Sequence, residues 1–348
     1  MRGPRILLAP LSLVFGFIVF VRNWLFDAGV LPTTKVASSV ISVGNISTGG
    51  TGKTPFVEYL ARHLKAGGKK VAVISRGYKR TTSGYVVVSN GAQRCAEAYE
   101  SGDEPFQLAQ KLDGVVVAVD EHRVRAAKNV IAEFKPDVIV LDDGFQHRYL
   151  HRDLNIVLVA NDELQTPGWL LPGGNLREPL TALRRADVVV VSRCKDVATF
   201  ATASRRLSAM TVKPLVGMRL RATSVKNALT GLKTELTSLA HKRVTAFSGI
   251  GNPEQFEQTL GSLSLDVAHH HRFTDHHRYS TQDIEEIRQA YKNEKAEYII
   301  TTEKDVARLN GDRELMHSLL NGFPVMYLEI EPEVIQGEEM LLGLLAKI

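Results

Sequence analysis

The sequence predicts an α/β protein: a sandwich built on a mainly parallel sheet, a second smaller α/β domain, and an apolar N-terminal helix that enters a membrane. Three observations carry that expectation. Short β-branched runs alternate with helix-spaced apolar patterns along most of the chain. A glycine-rich stretch, "GNISTGGTGKTP", lies between one such run and the helix pattern after it. Residues 6–21, "ILLAPLSLVFGFIVFV", carry no charge.

Size and composition set the outer limits. A chain of 348 residues has room for two domains and an appendage. With 44% hydrophobic and 23% charged residues it can bury sizeable cores. The net charge of +5 mildly favours anionic partners, but no basic run with interleaved aromatics appears, so no nucleic-acid partner is expected. The two cysteines, Cys95 and Cys194, exclude a disulfide framework and a Cys-rich zinc site, and fit a reducing compartment. There is no internal repeat or low-complexity segment, and no obligate protein partner is inferred.

Taken in order, the apolar segment comes first. Sixteen uncharged residues, flanked by Arg2, Arg5 and Arg22, span about 24 Å as a helix against a hydrocarbon core of roughly 30 Å. Extension through Trp24, Leu25 and Phe26, with Arg22 snorkelling, closes most of the gap. No small-residue cleavage site follows, which favours a retained anchor over a signal peptide. The anchor, residues 1–30, either spans the bilayer or lies in one leaflet.

Residues 31–225 read as the nucleotide-binding core. The run Val36 to Val43 reads as a buried parallel strand, and Pro55, Val57, Leu60, Ala61 and Leu64 read as a helix on the far side of the glycine loop. This strand–loop–helix context is that of a phosphate-binding loop, although Ser47 stands where the usual pattern has its first Gly. Gly49, Gly50 and Gly52 supply backbone freedom, so Thr48 to Thr54 is the candidate nucleotide site. Lys53 reaches the β- and γ-phosphates, and the Thr54 hydroxyl ligates Mg²⁺. Further strands are expected at Lys70–Ile74, Val115–Val119, Val138–Leu141, Asn155–Val159 and Val188–Val191. The run Val138–Leu141 leads into Asp142 and Asp143, placing carboxylates at a parallel strand's C-terminal end, where a metal opposite the phosphate loop would sit. His147 follows and could contact substrate or cap the loop.

Further loops carry polar groups. "SRGYKR" sets Arg76, Tyr78, Lys79 and Arg80 at a sheet edge, where the cations could meet an anionic substrate. "SGDEP" places Asp103 and Glu104 before a helix, with Pro105 suited to its first turn; the acids could be catalytic or could cap the helix. "LLPGGNLREPL" ends in Arg177 and Glu178. Residues 214–231 read as a linker, and the second α/β domain spans 226–348, with strands in "VTAFSGIGNPEQF", "YIITTEKDV" and "PVMYLEIE". Its tract "HHHRFTDHHRY" holds five of the eleven histidines but lacks a zinc-ligand spacing.

In this order, "GNISTGGTGKTP", "SRGYKR", "GDEP", "LDDGFQHR", "LPGGNLREP", "FTDHH" and "TTEKD" resemble the motifs of the tetraacyldisaccharide 4'-kinase family of lipid A assembly. The resemblance implies a P-loop NTPase-like core, ATP and Mg²⁺ as cofactors, and a membrane-bound acylated glucosamine disaccharide phosphate as acceptor. It implies that Ser47 is normal for the family. By motif, Lys53 and Thr54 serve the phosphates and metal, Asp142 and Asp143 the metal, and Asp103 the acceptor hydroxyl. Arg76, His147, Arg177, Glu178, Asp275 and His276 fall in motifs that line the cleft. The setting it implies is the bacterial inner membrane, with the catalytic domains on its cytoplasmic face. A sugar hydroxyl needs a base, and Asp142 and Asp143 are committed to metal, so Asp103 is the candidate, with His276 rather than His277 brought to it by closure of the two domains. An alternative is a membrane-associated ATPase switch with a deviant loop, but its signature Lys would occupy the position of Thr48. A dethiobiotin-synthetase-like ligase is a second, and it has no need of the apolar anchor.

Overall fold

The computed structural model describes residues 8–165 and 168–348. Arg2, Arg5, Ile6 and Leu7 of the expected anchor lie outside them. Among the described residues thirteen strands form one continuous sheet. In chain order they are β1 (Ser39–Asn45), β2 (Val71–Ser75), β3 (Val86–Asn90), β4 (Val116–Val119), β5 (Val138–Asp142), β6 (Leu154–Ala160), β7 (Val188–Ser192), β8 (Leu215–Asn227), β9 (Lys233–Thr234), β10 (Arg243–Ser248), β11 (Asp266–Arg272), β12 (Tyr298–Thr302) and β13 (Val325–Gln336). Their spatial order is β11-β10-β12-β13-β8-β7-β6-β1-β5-β2-β4-β3, with β9 paired to β8. Pairing is parallel except for β13 with β8, β3 with β4 and β9 with β8.

The central strands are buried on both faces and read as unbroken apolar runs: "VVVVS" for β7 and "VIVLD" for β5 are buried at every position. One face is covered by the helix Lys53–Ala66, whose Phe56, Val57, Leu60 and Ala61 are fully buried, together with Leu108 of the helix Asp103–Lys111. Ala126, Ala127 and Val130 of the helix Arg123–Phe134 cover the other face. In the second half, the helix Pro253–Ser262 packs one side of β10 and β12, while Thr281–Asn293 and Arg313–Leu320 pack the other.

Three segments differ from their sequence expectation. The presumed linker is β8, a strand of 13 residues that passes from one half to the other. Its partner β13 carries the chain back antiparallel to it, and Arg219 clamps Glu333 between them at 2.9 Å through both Nε and Nη2. The expected boundary near residue 225 thus falls inside a strand, and the helix Glu338–Leu345 returns to the first half, adding Leu341 and Leu345 to the core around Phe56 and Leu60. The first four residues of the histidine tract belong to β11, the strand at the sheet edge, because charged and imidazole side chains suit an edge that must not recruit another strand.

The N-terminal helix, Ala9–Asp27, docks along the first half by one stripe. Ser12, Val19 and Phe26 are buried, and Gly16 and Asn23 fall on the same line, with the alternating three- and four-residue spacing of a packed helix seam. Ser12 Oγ donates to the Leu170 carbonyl at 2.9 Å and accepts from Gly173 N–H at 2.9 Å. A Cβ on Gly16 would stand 2.9 Å from Leu170 Cδ1, so any larger residue here requires the Leu170 side chain to shift. Asn23 Nδ2 donates to Glu178 at 2.8 Å, and Arg185 and Arg22 close on the same carboxylate at 2.7 and 3.5 Å. The opposite face, with Leu11, Leu13, Val14, Phe17, Ile18, Phe20 and Trp24, is exposed.

Glu178 is completely buried under those three donors. Glu178→Ala strands Arg185 and Arg22, a loss of about 3 kcal/mol for breaking a buried pair. Urea denaturation should report that loss, and limited proteolysis should cut within residues 8–27 of the variant before any other site.

Candidate active site

The chemistry-bearing residues gather at the C-terminal ends of β1, β5 and β2, where ligands sit in parallel α/β sheets. The loop after β1 is held from outside by the segment that ends in Glu178. Ser47 forms an antiparallel bridge with Leu176, and Arg177 N–H donates to Ile46 O at 2.7 Å. Ser47 Oγ donates to Glu163 at 2.7 Å, and Arg193 Nη2 donates to Gly50 O at 2.6 Å. Inside the loop, Asn45 Nδ2 reaches Thr51 Oγ1 at 3.2 Å and Gly49 O at 3.3 Å. Ser47 is therefore a pinned side chain at a position with no left-handed backbone, which explains why glycine is not needed there. Of the loop glycines only Gly52 takes a positive φ, +84°, as it turns into the helix at Lys53. No side chain caps that helix and no acid lies in its first turn, so its N–H groups face the cleft.

Thr48 differs from the expectation that it lines the nucleotide. Its N–H and hydroxyl both go to Asn175 O, at 2.8 and 3.3 Å, so it fastens the loop. Gly50 to Pro55 do line a cleft, completed by Glu104, Lys304 and an apolar wall of Leu220, Ala222, Ile250, Phe256, Leu328 and Ile330. That wall comes from β8, β13 and the second half, so phosphate-facing and apolar surfaces belong to different parts of the chain.

Lys53 Nζ lies 3.6 Å from Asp143 Oδ1, and Arg177 Nη1 donates to Asp143 Oδ2 at 2.8 Å. Burial alone would raise the Asp143 carboxyl; Lys53, Arg177 and Arg123 outweigh it and hold it at about 2. Asp142 behaves oppositely. Burial, then the charges of Glu104 and Asp143, push it up to about 7. Its Oδ1 is buried without a hydrogen-bond donor, as is that of Asp143. Arg123, 3% exposed, is pushed down to about 10 by burial, against the pull of Asp142 and Asp143. Burial and Arg123 depress His147 to about 4, leaving it neutral near pH 7. Arg76 is exposed at the end of β2, and its charge also bears on His147.

Across the cleft, Asp103 and Glu104 open the helix Asp103–Lys111 and neither caps it. Their side chains point at the second half instead. His276 Nδ1 lies 3.2 Å from Asp103 Oδ2, and Arg308 Nε donates to the same oxygen at 2.8 Å. Burial would raise Asp103, but His276 and Arg308 hold it at about 2. Lys304 Nζ reaches Glu104 Oε1 at 3.1 Å. The exposed ring of Tyr78 stands edge-on to His276, centroids 5.5 Å apart. His277 turns away to Asp283 at 3.1 Å and stacks on Phe273, so geometry separates the two histidines.

Glu178, expected among the residues that line the cleft, is instead completely buried beneath Asn23, Arg22 and Arg185. Arg80, of the basic loop, is spent on Glu121 and Gly84 O. Lys304, Arg308 and Arg123 were not singled out by sequence. "EKDVAR" does place Lys304 and Arg308 one helical turn apart on one face, and Arg123 follows the C-terminal end of β4.

Comparison with known proteins agrees with this architecture. Residues 4–348 match the family model LpxK, tetraacyldisaccharide-1-P 4'-kinase. The tetraacyldisaccharide 4'-kinases of Chlorobium phaeovibrioides and Chlorobium phaeobacteroides are 37% and 38% identical, covering 98% and 97% of this chain and 96% of each of theirs. A crystal structure of LpxK from Aquifex aeolicus in complex with ATP superposes with a TM-score of 0.79 at 36% identity, over 99% of this chain and 98% of that one. From the phosphate loop to the returning C-terminal helix, this chain belongs to the tetraacyldisaccharide-1-P 4'-kinase family.

Proposed function

We propose that this protein transfers the γ-phosphoryl group of ATP to the 4'-hydroxyl of a tetraacylated glucosamine disaccharide 1-phosphate, in lipid A biosynthesis. The observation that carries the reading is that an uncapped phosphate-loop helix with Lys53 shares a cleft with Glu104 and Lys304, and that these two adjoin the Asp103–His276 pair. The helix N-terminus and Lys53 face the triphosphate, and the apolar wall takes the base. The acceptor hydroxyl gives up its proton to the Asp103–His276 pair acting as a unit, since a carboxylate held at about 2 is a weak base by itself. Its oxygen attacks phosphorus, and ADP leaves with the electron pair of the broken bond. Tyr78 stands beside that pair, and Arg177, His147 and Arg76 are the further groups assigned to the acceptor.

Mg²⁺ fits the residues present. Two carboxylate oxygens, on Asp142 and Asp143, are buried without donors, and Asp142 is crowded by like charge, as expected where a hard cation supplies the missing partner. Asp142, Asp143 and the Thr54 hydroxyl would hold it, and when bound it neutralises phosphate charge. The membrane face is the exposed side of the helix Ala9–Asp27. Because the other side is docked on the protein, this helix lies along the surface in one leaflet, on the cytoplasmic side of the inner membrane where ATP is present.

Three outcomes are expected. Lys53→Ala removes a charge aimed at the transferring group and lowers kcat at least about a hundredfold, around 2.7 kcal/mol or more; near-normal transfer of ³²P from ATP to lipid would remove the phosphate-loop assignment. Asp142→Asn abolishes turnover yet stabilises the metal-free protein by roughly 1–2 kcal/mol at pH 8, by removing an unpaired buried charge. The native value of about 7 lies above the unfolded one, so the destabilising charge is fully present only above pH 7. The gain should shrink toward pH 4 in thermal melts. Finally, the triple variant Leu13→Ser, Phe17→Ser, Phe20→Ser keeps the docked stripe but loses co-flotation with anionic vesicles; unchanged flotation would exclude this face as the anchor.

A further inference from the structure

Lys304 has a place in the cleft that the phosphoryl-transfer scheme does not use. It opens the helix Glu303–Leu309 beside Thr302, lines the same cleft as Lys53, and is only 19% exposed. Its ammonium meets three groups from both halves: Glu104 Oε1 at 3.1 Å, His276 Nε2 at 3.3 Å and Asp275 Oδ1 at 3.6 Å. An ammonium has three donors and no acceptor. Its contact with His276 therefore runs from Lys304 to the Nε2 lone pair. That fixes the imidazole proton on Nδ1, where it is donated to Asp103 Oδ2.

We propose that Lys304 is a positioning residue that links occupancy of the nucleotide cleft to the basicity of the Asp103–His276 pair. With its ammonium on Nε2, the histidine tautomer is set and its one free lone pair is engaged. The phosphates of a nucleoside triphosphate are stronger acceptors than a neutral imidazole and carry more charge than Glu104 and Asp275 together. A lysine is a point charge on a flexible stem, so it can exchange those partners for phosphate without moving the backbone. The exchange releases Nε2 and takes a cation away from the pair, so the base becomes competent when the donor is in place. The groups facing His276 are Asp103 with Arg308 behind it, Lys304, its neighbour Asp275, and the ring of Tyr78; Glu104 stands on the far side of Lys304. Lys304 is the one among these that also lines the cleft of the phosphate loop and carries positive charge.

This inference rests on the kinase reading, and one experiment separates the two. Transfer from ATP to the acylated disaccharide phosphate is followed from pH 5 to 9 for the wild type, Lys304→Met and Lys304→Arg. Lys304→Met is expected to raise KM for ATP about tenfold while kcat stays within roughly threefold, the signature of a lost binding contact. The acid limb of kcat/KM for ATP, which reports the free enzyme, moves to higher pH, while that of kcat does not. Lys304→Arg restores KM and the limb. Unchanged KM together with an unmoved limb would overturn the proposal and leave Lys304 as a clasp to Glu104. If Lys304→Met does not fold, ¹⁵N spectra of the wild-type His276 ring decide it: a non-hydrolysable triphosphate analogue must shift the Nε2 resonance, and no shift overturns the proposal. Absence of lipid phosphorylation by the wild type would overturn the kinase reading itself.

Discussion

Along the seam between the helices Asp103–Lys111 and Glu303–Leu309, charges pair in an antiparallel series. Asp103 meets Arg308, Glu104 meets Lys304, and Lys111 meets Glu303, at 2.8, 3.1 and 3.1 Å. Ala307 packs with Phe106 and Ala98 beneath them. Lys111 also reaches Glu58 on the helix Lys53–Ala66 at 2.9 Å, so the seam is tied to the helix that opens with Lys53. Partly buried pairs of this kind add little net stability over apolar packing, but breaking one is costly. Their effect is to fix one register: shifted by a turn, the helices would lose this set of three pairings.

This arrangement also explains where the protein tolerates strain. Asp143 and His276 take left-handed backbone conformations, φ +55° and +58°, without being glycine. Each costs of order 1 kcal/mol and persists only where the surroundings hold it. Asp143 is gripped by Lys53 and Arg177; His276 is fixed by its N–H to Gly249 O at 3.1 Å and by Asp103. In both cases the strained turn holds a side chain against a lysine that lines the cleft.

The parallel core was legible because strands buried on both faces write themselves as apolar runs; the expected Val138–Leu141 became Val138–Asp142, and Val188–Val191 became Val188–Ser192. β8 was not, since its arginines alternate with apolar residues and Gly217 interrupts it; a strand that joins two halves is polar on its open side and looks like a loop. Asp142, Asp143 and Lys53 could be placed by local pattern. The meeting of Asp103 with His276 was reasoned from chemistry, but Arg308 and Lys304 act across a sequence distance of some 200 residues, and no local spacing marks such partners. Glu178 and Thr48 show the converse: polar residues in a glycine-rich motif can serve the loop that holds the site and not the ligand.

The return of the chain through β13 has a consequence for biosynthesis. The helix Glu338–Leu345 places Leu341 and Leu345 against Phe56 and Leu60, and Tyr59 donates to Glu338 at 2.7 Å. The layer under the phosphate-loop helix is thus incomplete until residue 345 has left the ribosome. The apolar helix Ala9–Asp27, in contrast, emerges well before that returning helix. On the proposed reading of that helix as the membrane-facing element, the nascent chain would meet the lipid surface long before its nucleotide-binding layer is complete.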